Sequence, residues 1–146
     1  MFKRTIFVCL LLALSISASA DMKKGSVGSG GHKGYAFVTD NNGQATVTLI
    51  YDSPTADLDL VAAWIDSNGE PVIVGVDVST MHNFAQIQFG LPANIQVILL
   101  VDSYRGASPF RVSIVSAGSE SMIAVQAVEV EPVMLDRLAK KVKEIK

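Results

Sequence analysis

From Tyr35 onward the chain is written in short β-type runs broken by turn residues. Gln44 to Tyr51 sets Ala45, Val47 and Leu49 on one side and Thr46 and Thr48 on the other. That period of two is the mark of a strand with one buried face. Asn83 to Phe89 alternates the same way, with Phe84, Gln86 and Gln88 opposed to Ala85, Ile87 and Phe89. Asp57 to Asp66 and Pro71 to Asp77 flank Ser67-Asn68-Gly69-Glu70, which predicts a hairpin. Ile95 to Asp102 is apolar almost throughout, as in a central strand covered on both faces. Tyr35 to Thr39, closed by Asp40-Asn41-Asn42-Gly43, is another strand. Arg105-Gly106-Ala107-Ser108-Pro109 turns the chain into Phe110 to Val115, and Ser121 to Val130 is the last run. About eight short strands with no long helical pattern between them predict an all-β, antiparallel β-sandwich, jelly-roll-like, and exclude a parallel α/β sheet.

The two ends break this texture. Pro132 suits the first position of a helix, and Leu135, Leu138, Val142 and Ile145 recur at spacings that place them on one stripe. Lys140, Lys141, Lys143 and Lys146 crowd its end, where cations favour the helix dipole. A helix this short is marginal alone. Its stripe therefore either docks on the sandwich or captures a partner or a second copy. At the other end, Lys3 and Arg4, the apolar run Ile6 to Ile16 and Ala18-Ser19-Ala20 form a secretory signal with its cleavage site. Asp21 to Gly34 holds five glycines and reads as a flexible leader. The expected organisation is a signal peptide over 1–20, a leader over 21–34, the sandwich over 35–130 and an amphipathic helix over 131–146.

Export changes what the composition means. Cleavage after Ala20 removes Cys9, the one cysteine, and leaves 126 residues with a net charge of −4. Thiol catalysis, thiolate–zinc sites and disulfides are then excluded. A periplasmic or secreted domain of this size must be held by its core alone. The acidic balance argues against nucleic acid as a partner, and a membrane is met only through the transient signal peptide.

Catalytic patterns are missing. Gly28-Ser29-Gly30 and Gly118-Ser119 do not complete a nucleophile elbow, the glycine run has no phosphate-loop spacing, and neither His32 nor His82 sits in a recognisable dyad. The expectation is a protein that is not an enzyme. Asp57 and Asp59, two apart on a strand, should leave one face together. Such a pair needs an offset: a cation, a basic side chain or loop N–H groups. Calcium suits the oxygen chemistry, with Asp52, Asp66, Asn68 and Asp77 in nearby loops, although no dedicated calcium-loop spacing occurs. Trp64 alternates with Leu60 and Ala62 into the core, with a carbohydrate platform as its other reading. Tyr104 and Arg105 fall at a turn, where they are either contact residues for a ligand or a turn-packing pair.

Two segments carry a resemblance. Asp57-Leu58-Asp59-Leu60-Val61-Ala62-Ala63-Trp64 with its following turn, and Leu91-Pro92-Ala93-Asn94-Ile95-Gln96-Val97 continuing to Ile114, resemble the bacterial pre-peptidase C-terminal domain. The resemblance spans about Tyr35 to Val115. It departs at Asn94-Ile95, where the family usually has a glycine and an aromatic residue, and no peptidase domain accompanies the module. It implies a β-sandwich accessory to secreted proteins. Together these readings predict an exported, non-catalytic binding or accessory module contacting protein or polysaccharide. The alternative is an assembly subunit that joins a complex through its C-terminal helix.

Overall fold

A computed structural model describes residues 23–39, 44–79, 83–116, 130 and 132–145. The strands are β1 (Lys23–Val27), β2 (His32–Val38), β3 (Gln44–Tyr51), β4 (Asp57–Ile65), β5 (Pro71–Asp77), β6 (Phe84–Gly90), β7 (Gln96–Arg105) and β8 (Ser108–Ser116). One helix, α1 (Pro132–Ile145), follows. The signal segment lies outside the described residues, as does the strand predicted over Ser121 to Val130 except for Val130, which is not in a strand.

Pairing is nested: β1 with β8, β2 with β7, β3 with β6 and β4 with β5, all antiparallel. Folding such a ribbon over itself gives two sheets, β1-β8-β3-β6 and β2-β7-β4-β5. This is the jelly-roll sandwich. Leu49, Leu58, Leu60, Val97, Leu99, Val112 and Ile114 meet between the sheets in the main core. The predicted β4–β5 hairpin is present, with a register shift between Ala62 and Ala63. At its turn the Asp66 carboxylate accepts the Asn68 and Glu70 N–H groups at 2.9 Å each. Trp64 stands half-buried at the end of β4 rather than deep in the core.

Residues 21–34, expected as a flexible leader, are corrected by the structure: Lys23–Val27 and the first residues of β2 are paired strand. Gly25 and Gly34 answer to contact, whereas Gly28 and Gly30 stand in open space, Gly30 with a positive φ of 72° in the turn between β1 and β2. A side chain on Gly25 would strike the rings of Tyr35 and Phe110, which meet edge-on at 6.2 Å. A side chain on Gly34 would strike Leu135 of α1. Glycine here permits close approach rather than flexibility.

Helix α1 lies across the outer face of the β2-β7-β4-β5 sheet. Leu138, Ala139 and Val142 are buried against Val61, Ala63, Ile98 and Leu100, with Leu135 half-buried beside them. Three of the four stripe residues dock in cis. Ile145, expected on that stripe, is 51% exposed, because the helix runs past the apolar rows of the sheet before it ends. Polar ties fix its angle: Lys141 Nζ donates to the Pro71 carbonyl at 2.8 Å, and Arg137 stands 3.8 Å from Glu70.

Candidate functional site

Backbone register builds the site. Asp102 on β7 lies opposite His32 on β2 and opposite Asp59 on β4, so the three form one row across the sheet. The next row is Gly34, Leu100 and Val61, and the next is Ala36, Ile98 and Ala63. The helix covers the apolar rows, and its last turns end over the polar one. There a cavity of about 180 Å³ opens between sheet and helix, lined by Asp59, Asp102, Tyr104, Val142 and Lys143.

Asp59 and Asp102 are 1% and 4% exposed. Like charges directly opposite each other on neighbouring strands repel, and two basic residues, His32 and Lys143, stand beside this row. His32 supplies one link: its Nδ1 lies 3.9 Å from Asp102 and its Nε2 lies 3.1 Å from Asp136 on α1. The ring thus joins a buried sheet carboxylate to an exposed helix carboxylate, and when protonated it donates from both nitrogens. Lys143 brings a positive charge to the cavity wall.

The residues singled out from the sequence are divided by this geometry. The register shift at this end of the β4–β7 ladder comes from an extra residue on β7, Tyr104, because Leu58 lies opposite Ser103 and Asp57 opposite Arg105, so the alternation along β4 continues through both aspartates. Asp59 lies opposite Asp102 and lines the cavity, while Asp57 lies opposite Arg105 and does not line it. Tyr104 and Arg105 belong to β7 itself, with the turn at Gly106 and Ala107. Tyr104, 61% exposed, forms the mouth of the cavity, and Arg105, also exposed, does not line it.

The neighbouring loop acids have structural tasks. Asp52 lies 3.7 Å from Arg111. Asp77 accepts the Ser79 and Gln86 N–H groups, each at 2.9 Å. Burial alone would raise the Asp77 carboxyl, but hydrogen bonds from Ser79 and Gln86 outweigh it and hold the group below the ordinary carboxylate value. At Tyr35 burial is unopposed and pushes the phenol up. Among the described residues no group of three or more His, Cys, Asp or Glu side chains is arranged to hold a metal ion. Asp57 and Asp59 would supply two of the six to eight oxygens that calcium takes.

His32, Asp102, Asp136 and Lys143 were missed as site residues. Their sequence signals were faint: one aspartate closing an apolar run, and one histidine among glycines. A lone carboxylate at the end of a two-sided strand is the stronger clue, since such a group is buried only with partners.

No family model matches the sequence, and no curated protein matches it. Solved structures share the fold. The Yersinia pseudotuberculosis-derived mitogen superposes with a TM-score of 0.55 at 9% identity, over 75% of this chain and 96% of that one. The pre-peptidase C-terminal domain of Bacillus anthracis collagenase gives 0.53 at 14% identity, over 64% and 87%. CorA, a surface-associated copper-binding protein of Methylomicrobium album BG8, gives 0.51 at 8% identity, over 65% and 93%. The likeness to the pre-peptidase domain is therefore one of fold.

Proposed function

We propose that this chain is an exported, non-catalytic β-sandwich module of the cell envelope or secreted fraction, contacting protein or polysaccharide where Tyr104 opens the cavity. The observation that carries the reading is the division of the outer sheet face. Its apolar rows are sealed by the chain's own helix, and the exposed ring of Tyr104 stands beside polar groups at the open end. An exposed aromatic residue next to a lined hollow is a common form of contact surface. His32 supports the non-catalytic reading, since its ring is engaged with two carboxylates rather than with a nucleophile. Export is supported by the signal pattern over 1–20 and by likeness to small β-domain proteins, one of them surface-associated.

Assembly through the helix has less support, because Leu138 and Val142 are already buried in cis.

Purified protein incubated with envelope polysaccharide and with envelope proteins of the native host tests the reading. Retention or crosslinking should fall sharply in Tyr104→Ala, whose side chain lies outside both cores. Undiminished retention in that variant, or chemical turnover of the bound material, overturns the reading. An intact mass beginning at Asp21 is the expected sign of export; a mature chain retaining Met1 opposes it.

A further inference from the structure

We infer that the outer face of the β1-β8-β3-β6 sheet binds an acidic polysaccharide, a sugar chain bearing carboxylates, laid across its strands. The face lies on the other sheet from Tyr104, so the inference goes beyond the cavity reading and does not depend on it. Alternation and register build the face. Leu49, Ile87, Phe110 and Val112 turn into the core, as does Gly25 toward Tyr35 and Phe110, so the residues between them turn outward. Cross-strand pairing sets Lys24, Arg111, Ile50 and Phe84 in one outward row. Ser113, Thr48 and Gln86 form the next, and Val115, Thr46 and Gln88 the one after. The first row is cationic at one end and apolar at the other. The rows behind it are hydroxyls and carboxamides, with Val115 as the apolar exception. No outward residue in these rows is acidic, although the chain holds 14 Asp and Glu against 12 Lys and Arg.

This chemistry matches a carboxylated sugar chain. Sugar hydroxyls donate and accept, as do carboxamides and side-chain hydroxyls. Neighbouring strands lie about 4.8 Å apart, close to the length of one sugar residue, so a chain running along a row meets a polar group at each step. Its carboxylates meet Lys24 and the guanidinium fork of Arg111. Asp52 stands 3.7 Å from Arg111, but both side chains are exposed, and a surface pair of this kind exchanges readily for another carboxylate. At the far end Gly90 stands opposite Gln44 and leaves an outward position without a side chain. A hollow of about 290 Å³ opens there beside Gln88, with room for one sugar ring. A protein partner fits less well, because protein interfaces are anchored by aromatic and arginine side chains near their centre, and the centre of this face is Thr46, Thr48, Gln86 and Gln88.

The test titrates the full mature chain with an oligogalacturonate, followed by NMR. Its methyl ester serves as the uncharged control, and polyphosphate supplies charge without hydroxyls. A few screened contacts on a flat face give roughly millimolar affinity, so titration rather than retention on a matrix is the readout. The oligogalacturonate should shift the side-chain amide signals of Gln86 and Gln88 and the backbone amide of Arg111, and should bind more weakly as salt is raised. The methyl ester and polyphosphate should each bind several-fold more weakly. The double variant Lys24→Gln/Arg111→Gln should weaken oligogalacturonate binding about tenfold, the scale of two screened charge contacts. Gln88→Glu, which sets a carboxylate among the neutral groups, should weaken it about threefold. Shifts confined to residues outside this sheet, an equal response to the methyl ester, or unchanged affinity in the double variant overturns the inference. An equal response to polyphosphate overturns it too, since the face would then hold any polyanion.

Discussion

The two sheets present opposite outer faces. On the β1-β8-β3-β6 sheet, the outward residues of β3 and β6 include Gln44, Thr46, Thr48, Gln86 and Gln88, with the pair Ile50 and Phe84 at one end, and this face meets water. Across that face Gln86 donates to the Thr48 hydroxyl at 3.0 Å. On the β2-β7-β4-β5 sheet, the outward residues Val61, Ala63, Ile98 and Leu100 are buried, and a helix lies over them. The difference shows what an uninterrupted apolar strand means. Val97 to Val101 carries no alternation because odd positions enter the sandwich core while even ones enter the helix interface. Only the covered sheet can also shelter a polar row, and the candidate site lies where that cover ends.

The largest expected effect comes from removing the cover. Truncation after Glu131 strips Leu138 and Val142 from the sheet, and each apolar side chain of this size contributes ~1.5–3 kcal/mol when fully buried. We expect a loss of about 3–6 kcal/mol in urea unfolding, with binding of an apolar dye to the bared face. A truncated chain that melts like the parent would show that the helix does not stabilise the sandwich.

Gly34→Ala sharpens the same comparison with one methyl group. Its Cβ would collide with Leu135, and overpacking of this kind costs about 1–3 kcal/mol. Restoring room with the double variant Gly34→Ala/Leu135→Ala should recover less than the full loss, because the helix then gives up part of its contact. Additive losses in a double-mutant cycle would mean that the two residues are not in contact.

The open sheet should be forgiving. Thr46→Lys, on its watered face, is expected to change stability by no more than ~0.5 kcal/mol. A larger loss in thermal melting would mean that this face, too, is covered.

Smallest is the acid response at the corner between the sheets. Asp77, at the end of β5, accepts the backbone N–H of Gln86 on β6. Its folded carboxyl lies below the ordinary value, so the fold prefers it ionised. The stabilisation is complete above the ordinary carboxylate pKa of about 3.9 and is lost as pH falls through the lower folded value. Urea midpoints compared between pH 5 and pH 3 should therefore fall less in Asp77→Asn than in the parent. The same fall in both would remove Asp77 from the account.

Much of this molecule was legible because strand periodicity is local. Gln44–Tyr51 and Pro71–Asp77 were bounded correctly from alternation and turn residues alone. The helix was placed by the recurrence of Leu135, Leu138 and Val142 and by Pro132. Glycine misled over 21–34, since a glycine admitting a neighbouring ring and one admitting flexibility are written identically. The site was half legible. Tyr104 and Asp59 stood out by type and position, but Asp102, opposite Asp59 on β7, did not. An extra residue at Tyr104 in β7 is likewise invisible to a count of two.

Composition, alternation and turn chemistry by themselves determined an all-β chain with an amphipathic helix at its end, because each depends on residues within a few positions of one another. Tertiary structure alone decided which face the helix covers and that His32, Asp102 and Asp59 share a row. Those relations join β2, β7 and β4 across dozens of residues. They are set by how the nested ribbon folds over its core, and no local pattern encodes that distance.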